Sequence, residues 1–541
     1  MLLQPETRPI TQDQLVNEVK GIYAGLVMVE KKCVEICQQQ SQTTNKLSDE
    51  QWQALIALHR TLLHEHHDFF LASQHPTASP ALRRLAAKYS MPARMWRHGI
   101  HSFLELLRHR LPDSLEHMLA FVYLAYSMMA LLMESVPSFV ETWIECLGDL
   151  ARYRMAIEEA DLKDREIWAG VARMWYNKAA DRSPNVGRIQ HHLAVLARPN
   201  IVQQLFYYSK ALISVIPFVN ARESIMLLFS PLLEKSETDY PQKYALVDSS
   251  LVRAFGILFT RGSIVEYMIH IQQFTSDLDN HITRTGVKFK VQGPEIASIL
   301  VAGILDFGAD DNHLWRLFRD HMDTVKGLQE SKMSDTEPVE DSRIQDELRR
   351  KFWKDIAEAG EKHPRAEPPA AKAPDAKFAS TNEVASYVLP VWCHTTEIVV
   401  QRLGDKNTLP YVHMTLAFLW SLSFVPGALI WLEQYVPWSK LAGFLNALSR
   451  SGVVDARVES EEFPQPLSGT GRQLPEDFQL RGLVGSPYYF PGDFFQGHVV
   501  DEDERTLELP SHAAPRAERC LWLGARIVSV GQQLIIGCGS C

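Results

Sequence analysis

Cysteine is scarce in this 541-residue chain: seven residues (Cys33, Cys37, Cys146, Cys393, Cys520, Cys538 and Cys541), an odd number scattered too thinly to staple a protein of this size. A reducing compartment is expected, and nucleus and cytoplasm are the expected locations. The first twenty residues carry early charges and lack the basic, apolar and small-residue regions of a secretory signal, so secretion is not expected. Net positive charge is absent too. With 55 Lys and Arg against 65 Asp and Glu, the formal charge is -10, which excludes a uniformly basic nucleic-acid coat. Glycine-rich phosphate loops, dinucleotide fingerprints and the G-x-S-x-G elbow of hydrolases are missing, so an enzyme has no foothold and neither a cofactor nor a catalytic residue is expected.

Metal chemistry is equally poorly served. The run His64-Glu65-His66-His67-Asp68 does not have the H-E-x-x-H spacing and has no cysteine nearby, and Cys33 and Cys37 lack a second pair, so no metal site is expected. Metal-dependent nucleases place clustered acids after strands, and no strand and acid alternation occurs; the acidic run 501–504 has no strand around it. Long uninterrupted apolar runs are few. Met118 to Met133 is shorter than the roughly 20 residues needed to span a bilayer, and Val412 to Leu432 is broken by His413 and Pro426-Gly427. Both read as buried helices, with no membrane partner expected.

What is present is helical periodicity. Apolar residues recur at three- and four-residue intervals over 11–41, 49–74, 92–111, 113–134, 137–159, 163–181, 186–197, 200–215 and 219–234, then over 243–285, 294–329, 382–404 and 408–450. An all-α fold follows. Residues 331–381, rich in charge, proline and alanine, predict a flexible connector carrying one amphipathic helix near 342–358. Residues 461–541 predict an irregular C-terminal segment. The expected organisation is a first domain at 10–235 and a helical-hairpin domain at 243–330 and 382–455.

Ala172, Tyr176, Ala179 and Pro184 have the spacing of the second helix of a tetratricopeptide-type hairpin, with Leu147-Gly148 on the first; Leu193-Ala194, Tyr208, Ala211 and Pro217 form a weaker second copy. Charge is also uneven. Between Ala81 and Arg110, seven Lys and Arg face one acid, Glu105. His101 and Arg108 are seven residues apart and share a helix face, with Arg97 one turn earlier. Arg152-Tyr153-Arg154 forms a second basic step. Packed side by side, the two helices would offer guanidinium forks and a phenol, which suit a phosphorylated Ser or Thr. A solvated basic face, or arginines paired with Glu and Asp of neighbouring helices, would have the same composition. Lys178, Arg182 and Arg188 form a further candidate patch, with Arg97, for nucleic acid.

The stretches CLGDLARYR (146–154), WYNKAADRSPNVGRIQHHLAVLARPN (175–200) and LFYYSKALISVIPFVNARES (205–224), with LPEDFQLRG (474–482), resemble the Est-type telomerase proteins and SMG-type nonsense-mediated mRNA decay proteins. That resemblance implies a 14-3-3-like, tetratricopeptide-type domain followed by an α-helical hairpin domain. It implies a phosphopeptide-binding adaptor whose partners are a phosphorylated decay helicase or similar phosphoprotein and other SMG-type factors. The telomeric branch implies instead telomerase RNA or single-stranded DNA. The 14-3-3 pocket sequence aligns with Gly148-Asp149-Leu150-Ala151-Arg152-Tyr153. The resemblance thereby assigns His101, Arg108, Arg152 and Tyr153 to a phosphate pocket, with His101 in the place of the family's lysine.

Overall fold

The computed structural model describes residues 10–43, 46–158, 162–234, 244–333, 377–378, 380–450, 455–464, 473–492, 494–496, 505 and 507–538. The expected helix near 342–358 and the acidic run 501–504 lie outside them. The described residues are overwhelmingly helical, with isolated β-bridges and no strand, so the fold is all-α.

The chain divides into two compact units, Met1–Ser183 and Pro184–Cys541. The division falls inside the span 10–235 read from the sequence as one domain, between the two helix pairs of the repeat pattern. In the first unit, α1 (Gln12–Ser41) and α2 (Asp49–Ser73) each begin with a capping box, Thr11 with Gln14 and Ser48 with Gln51. A π-helical turn, Met95–His101, runs directly into α3 (Ser102–Arg108). Then come α4 (Leu115–Ser135), α5 (Val140–Ile157) and α6 (Leu162–Arg182). Of the described helices, α4 is long and apolar enough, by length and composition, to cross a membrane. In this fold its Met118, Phe121, Val122, Ala125, Met129 and Leu132 pack into the core of the first unit.

The α5–α6 pair is where the small-residue spacing acts. A Cβ added at Gly148 would come 2.7 Å from the Tyr176 ring, so the helices can approach this closely only because residue 148 has no side chain. Ala172, Tyr176 and Ala179 are all buried along that seam.

The second unit contains α7 (Gly187–Leu196), α8 (Ile201–Leu212), α9 (Leu246–Phe259), α10 (Ile264–Thr285), α11 (Phe289–Ile304), α12 (His313–Met333), α13 (Thr381–Val400), α14 (Leu409–Leu422), α15 (Trp438–Ser449), the short α16 (Pro475–Leu480) and α17 (Ala513–Cys538). The nearly fully buried α11 packs against α8, α13 and α14. The apolar run 412–432 breaks where Pro426-Gly427 stands, and Gly427 takes φ +78° before a new short helix.

The C-terminal segment corrects the sequence reading. It closes with the 26-residue α17 rather than an irregular tail. Buried Arg516 and Arg519 sit on the core face together with Cys520, Leu523 and Ile527, so the helical repeat is real but two of its inward positions are charged. The motif LPEDFQLRG supplies their partners. Arg516 Nε and Nη2 meet Glu476 Oε1 and Oε2 at 2.6 and 2.8 Å, and Arg519 Nη1 meets both Asp477 oxygens at 2.6 and 2.7 Å. Gly482, at φ +87°, lies against the Pro184 carbonyl where no side chain fits, and its own carbonyl accepts from the Val215 N–H at 3.1 Å.

Candidate phosphate-binding pocket

The basic strip of the first unit is not one continuous cationic face. Arg94 forks onto Glu30 of α1 at 2.9 and 3.2 Å, and Arg110 donates to the Gln40 carbonyl at the end of α1 at 2.9 Å. These guanidiniums tie elements together, one through an ion pair and one through a carbonyl in the last turn of α1.

His101, Arg108 and Arg152 gather around Tyr153 and Glu105. His101 closes the π turn, its ring stacked toward Trp96 with centroids 6.5 Å apart and an interplanar angle of 14°. Its Nδ1 lies 2.9 Å from the Tyr153 hydroxyl, which in turn donates to Glu105 Oε1 at 2.8 Å. Because the phenol proton points at Glu105, the phenol oxygen accepts, and His101 carries its proton on Nδ1. The second Glu105 oxygen pairs with Arg108 Nη2 at 2.7 Å. Burial, and then Glu105, push the Tyr153 phenol above its ordinary pKa, so it remains a donor.

Arg152 forms the adjoining wall. Its guanidinium lies 5.6 Å from the Tyr153 ring centroid, its Nη2 meets Asp149 Oδ1 at 3.1 Å, and its Nε donates to the Tyr176 hydroxyl at 3.3 Å. Tyr176 itself donates to Asp149 Oδ1 at 2.6 Å. The Gly148 contact therefore does two things: it seats the Tyr176 ring in the seam, and the seated ring fixes Asp149 and Arg152.

The structure thus brings His101, Arg108 and Tyr153 together through Glu105 and sets Arg152 against Tyr153. Arg97 is exposed on the π turn, outside this hydrogen-bonded chain. Lys178 and Arg182 are exposed one turn apart on α6, with Lys178 Nζ 5.3 Å from the Trp175 ring, whereas Arg188 is exposed on α7 of the second unit. The sequence reading missed Glu105 and Asp149 as partners. The signal was present: each stands three residues before its arginine, a spacing that pairs side chains on a helix. Elsewhere, His66 of the His-rich run turns into the core and meets its own helix's Leu62 carbonyl at 2.9 Å, and no group of three metal-ligating side chains occurs among the described residues.

Residues 172–304 match the Est1 DNA/RNA binding domain, a span that contains Lys178, Arg182 and Arg188 but not the pocket. The chain therefore carries an Est1-type domain. It is 37% identical over 95 residues to "Telomerase-binding protein EST1A" of Danio rerio, covering 17% of this chain and 6% of that protein. It is 23% identical over 315 residues to "EST/SMG-like protein 2" of Saccharomyces cerevisiae, covering 55% of this chain and 23% of that protein. These matches support the resemblance to the Est/SMG-type family that the motifs carry, and the chain spans less than a quarter of the length of either relative.

Proposed function

We propose that this protein is a non-enzymatic adaptor of nonsense-mediated mRNA decay, working in nucleus and cytoplasm, that binds a phosphorylated Ser or Thr segment of a decay helicase or similar phosphoprotein alongside other SMG-type factors. In this reading α5–α6 and α7–α8 are tetratricopeptide-type hairpins, and the first unit is 14-3-3-like. One observation carries the proposal: the Tyr153 hydroxyl and Arg108 already grip a single carboxylate, with His101 and Arg152 flanking, so the cleft has the donors an anion needs. A phosphate there would gain charge-assisted bonds of about 1.5–3 kcal/mol each. Full-length chain titrated with phosphoserine peptides should bind them in preference to the unmodified forms. Arg108→Glu with Arg152→Glu should abolish that binding, and unchanged affinity would remove the pocket.

A second reading is supported by the matched domain and by the name of the zebrafish relative: association with telomerase RNA or single-stranded DNA through Lys178, Arg182 and Arg188, with Arg97. A steep fall of single-stranded RNA or DNA affinity with salt, indifferent to phosphopeptide, favours it.

A further inference from the structure

Glu105, the carboxylate that Tyr153 and Arg108 hold, is given no role of its own by the proposed function. Both of its oxygens are engaged, Oε1 by the Tyr153 hydroxyl at 2.8 Å and Oε2 by Arg108 at 2.7 Å. It therefore occupies the two donors an incoming phosphate needs first. It stands one turn after His101 and one turn before Arg108 on the same helix, so rotation about its own side-chain bonds can carry the carboxylate out without moving the backbone. The resident pair is also readily exchanged. Arg108 is 53% exposed and Glu105 26%, and ion pairs this open to water contribute little. Arg152 has a comparable resident in Asp149, at 3.1 Å.

We propose that Glu105 is a specificity gate: it keeps the pocket occupied by a carboxylate, so that only an anion stronger than a carboxylate displaces it. This rests on the phosphopeptide reading of the site. A ligand Asp or Glu brings one charge and two acceptor oxygens and replaces like with like, gaining nothing over the resident. A phosphoserine or phosphothreonine brings roughly -1.5 to -2 and three acceptor oxygens, enough to hold Tyr153 and Arg108 and still reach toward His101 or Arg152. Acidic segments, and glutamate mimics of phosphorylation, are rejected while the phosphorylated segment is accepted.

The test titrates the full chain and its Glu105→Gln variant with a degenerate phosphoserine peptide library and with its serine and glutamate counterparts. Gln keeps the shape and can still accept from Tyr153, and Glu105→Ala, with circular dichroism on both, separates binding from folding. The wild type is expected to bind phosphoserine peptides and to discriminate against the glutamate series. Glu105→Gln is expected to bind phosphoserine peptides about tenfold more tightly and to acquire measurable affinity for the glutamate peptides, so that discrimination shrinks. If phosphoserine peptides bind the wild type and both affinity and discrimination are unchanged in the folded variants, the gate is wrong and the pocket stands. If no folded chain, wild type or variant, binds any phosphoserine peptide, the pocket reading fails and the gate with it.

Discussion

The two units contain the same four residue types in two different settings. In the first, His101, Tyr153, Glu105 and Arg108 form a chain of contacts at the surface. In the second, His413 Nδ1 meets Glu476 at 3.0 Å, His413 Nε2 meets the Tyr489 hydroxyl at 2.6 Å, and Glu476 is forked by Arg516. The difference is water. His413, Glu476 and Arg516 are each no more than 1% exposed. Burial alone would raise the Glu476 carboxyl, but Arg516 and then His413 outweigh it and hold the group well below the usual carboxylate range. A buried charge must keep its partner, whereas a half-solvated one can exchange it. Composition alone therefore does not separate a fixed clasp from a constellation able to exchange its partner; exposure does.

The largest expected effect comes from breaking the clasp. Glu476→Ala takes one of its two carboxylates from buried Arg516, leaving Glu508, and takes from His413 its Nδ1 partner, leaving Tyr489, and should cost about 3 kcal/mol in a denaturant titration that follows the second unit. A loss below about 1 kcal/mol would show that α17 is held chiefly by its apolar face.

Buried carboxylates need not behave alike, and pH sharpens the contrast. Glu295 on α11 is 2% exposed, and burial pushes it up to about 8 against the opposing hydrogen bond from Gln203. Its folded pKa is raised, so its contribution is fully present below the unfolded value near 4.5 and is lost as pH rises to about 8. Glu476 is depressed, so its contribution is present above the ordinary carboxylate pKa and is lost on acidification. Glu295→Gln should therefore stabilise the chain at pH 8–9 by a few kcal/mol, about 1.4 per pH unit over which only the folded group keeps its proton, with little change near pH 4. Equal shifts in urea midpoint at both pH values would contradict this assignment.

A smaller effect is expected at the seam behind the pocket. Gly148→Ala drives a methyl group into the Tyr176 ring and should cost about 1–3 kcal/mol, even though helix propensity alone favours Ala by about 1 kcal/mol. Thermal melting checks the sign, and a gain in stability would mean that the ring moves aside freely.

These contrasts also mark what was legible in the sequence. The helices were readable because apolar spacing is a property of each segment, and the nearness of His101, Arg108, Arg152 and Tyr153 was anticipated from the motif around 146–154. The last helix was not, because Arg516 and Arg519 hold inward positions and Gly524 interrupts the interior, where Leu445 packs close. Their partners, Glu476 and Asp477, lie about 40 residues earlier, and no local pattern reports a contact at that range. Glu105 was visible as the lone acid of a basic strip. That its two oxygens join residues 108 and 153 is a fact of helix packing, which only the fold discloses.

The smallest expected effect on stability is the one that matters most for function. Glu105→Gln should change folding free energy by no more than about 0.5 kcal/mol. The most direct test is the phosphoserine-peptide affinity of the Glu105→Gln chain measured beside that of Glu476→Gln under conditions where both are folded. Affinity raised by about tenfold in the first and unchanged in the second is the predicted result. An affinity unmoved by Glu105→Gln, or moved equally by both, would contradict the claim that the surface constellation is the binding site and the buried one its structural counterpart.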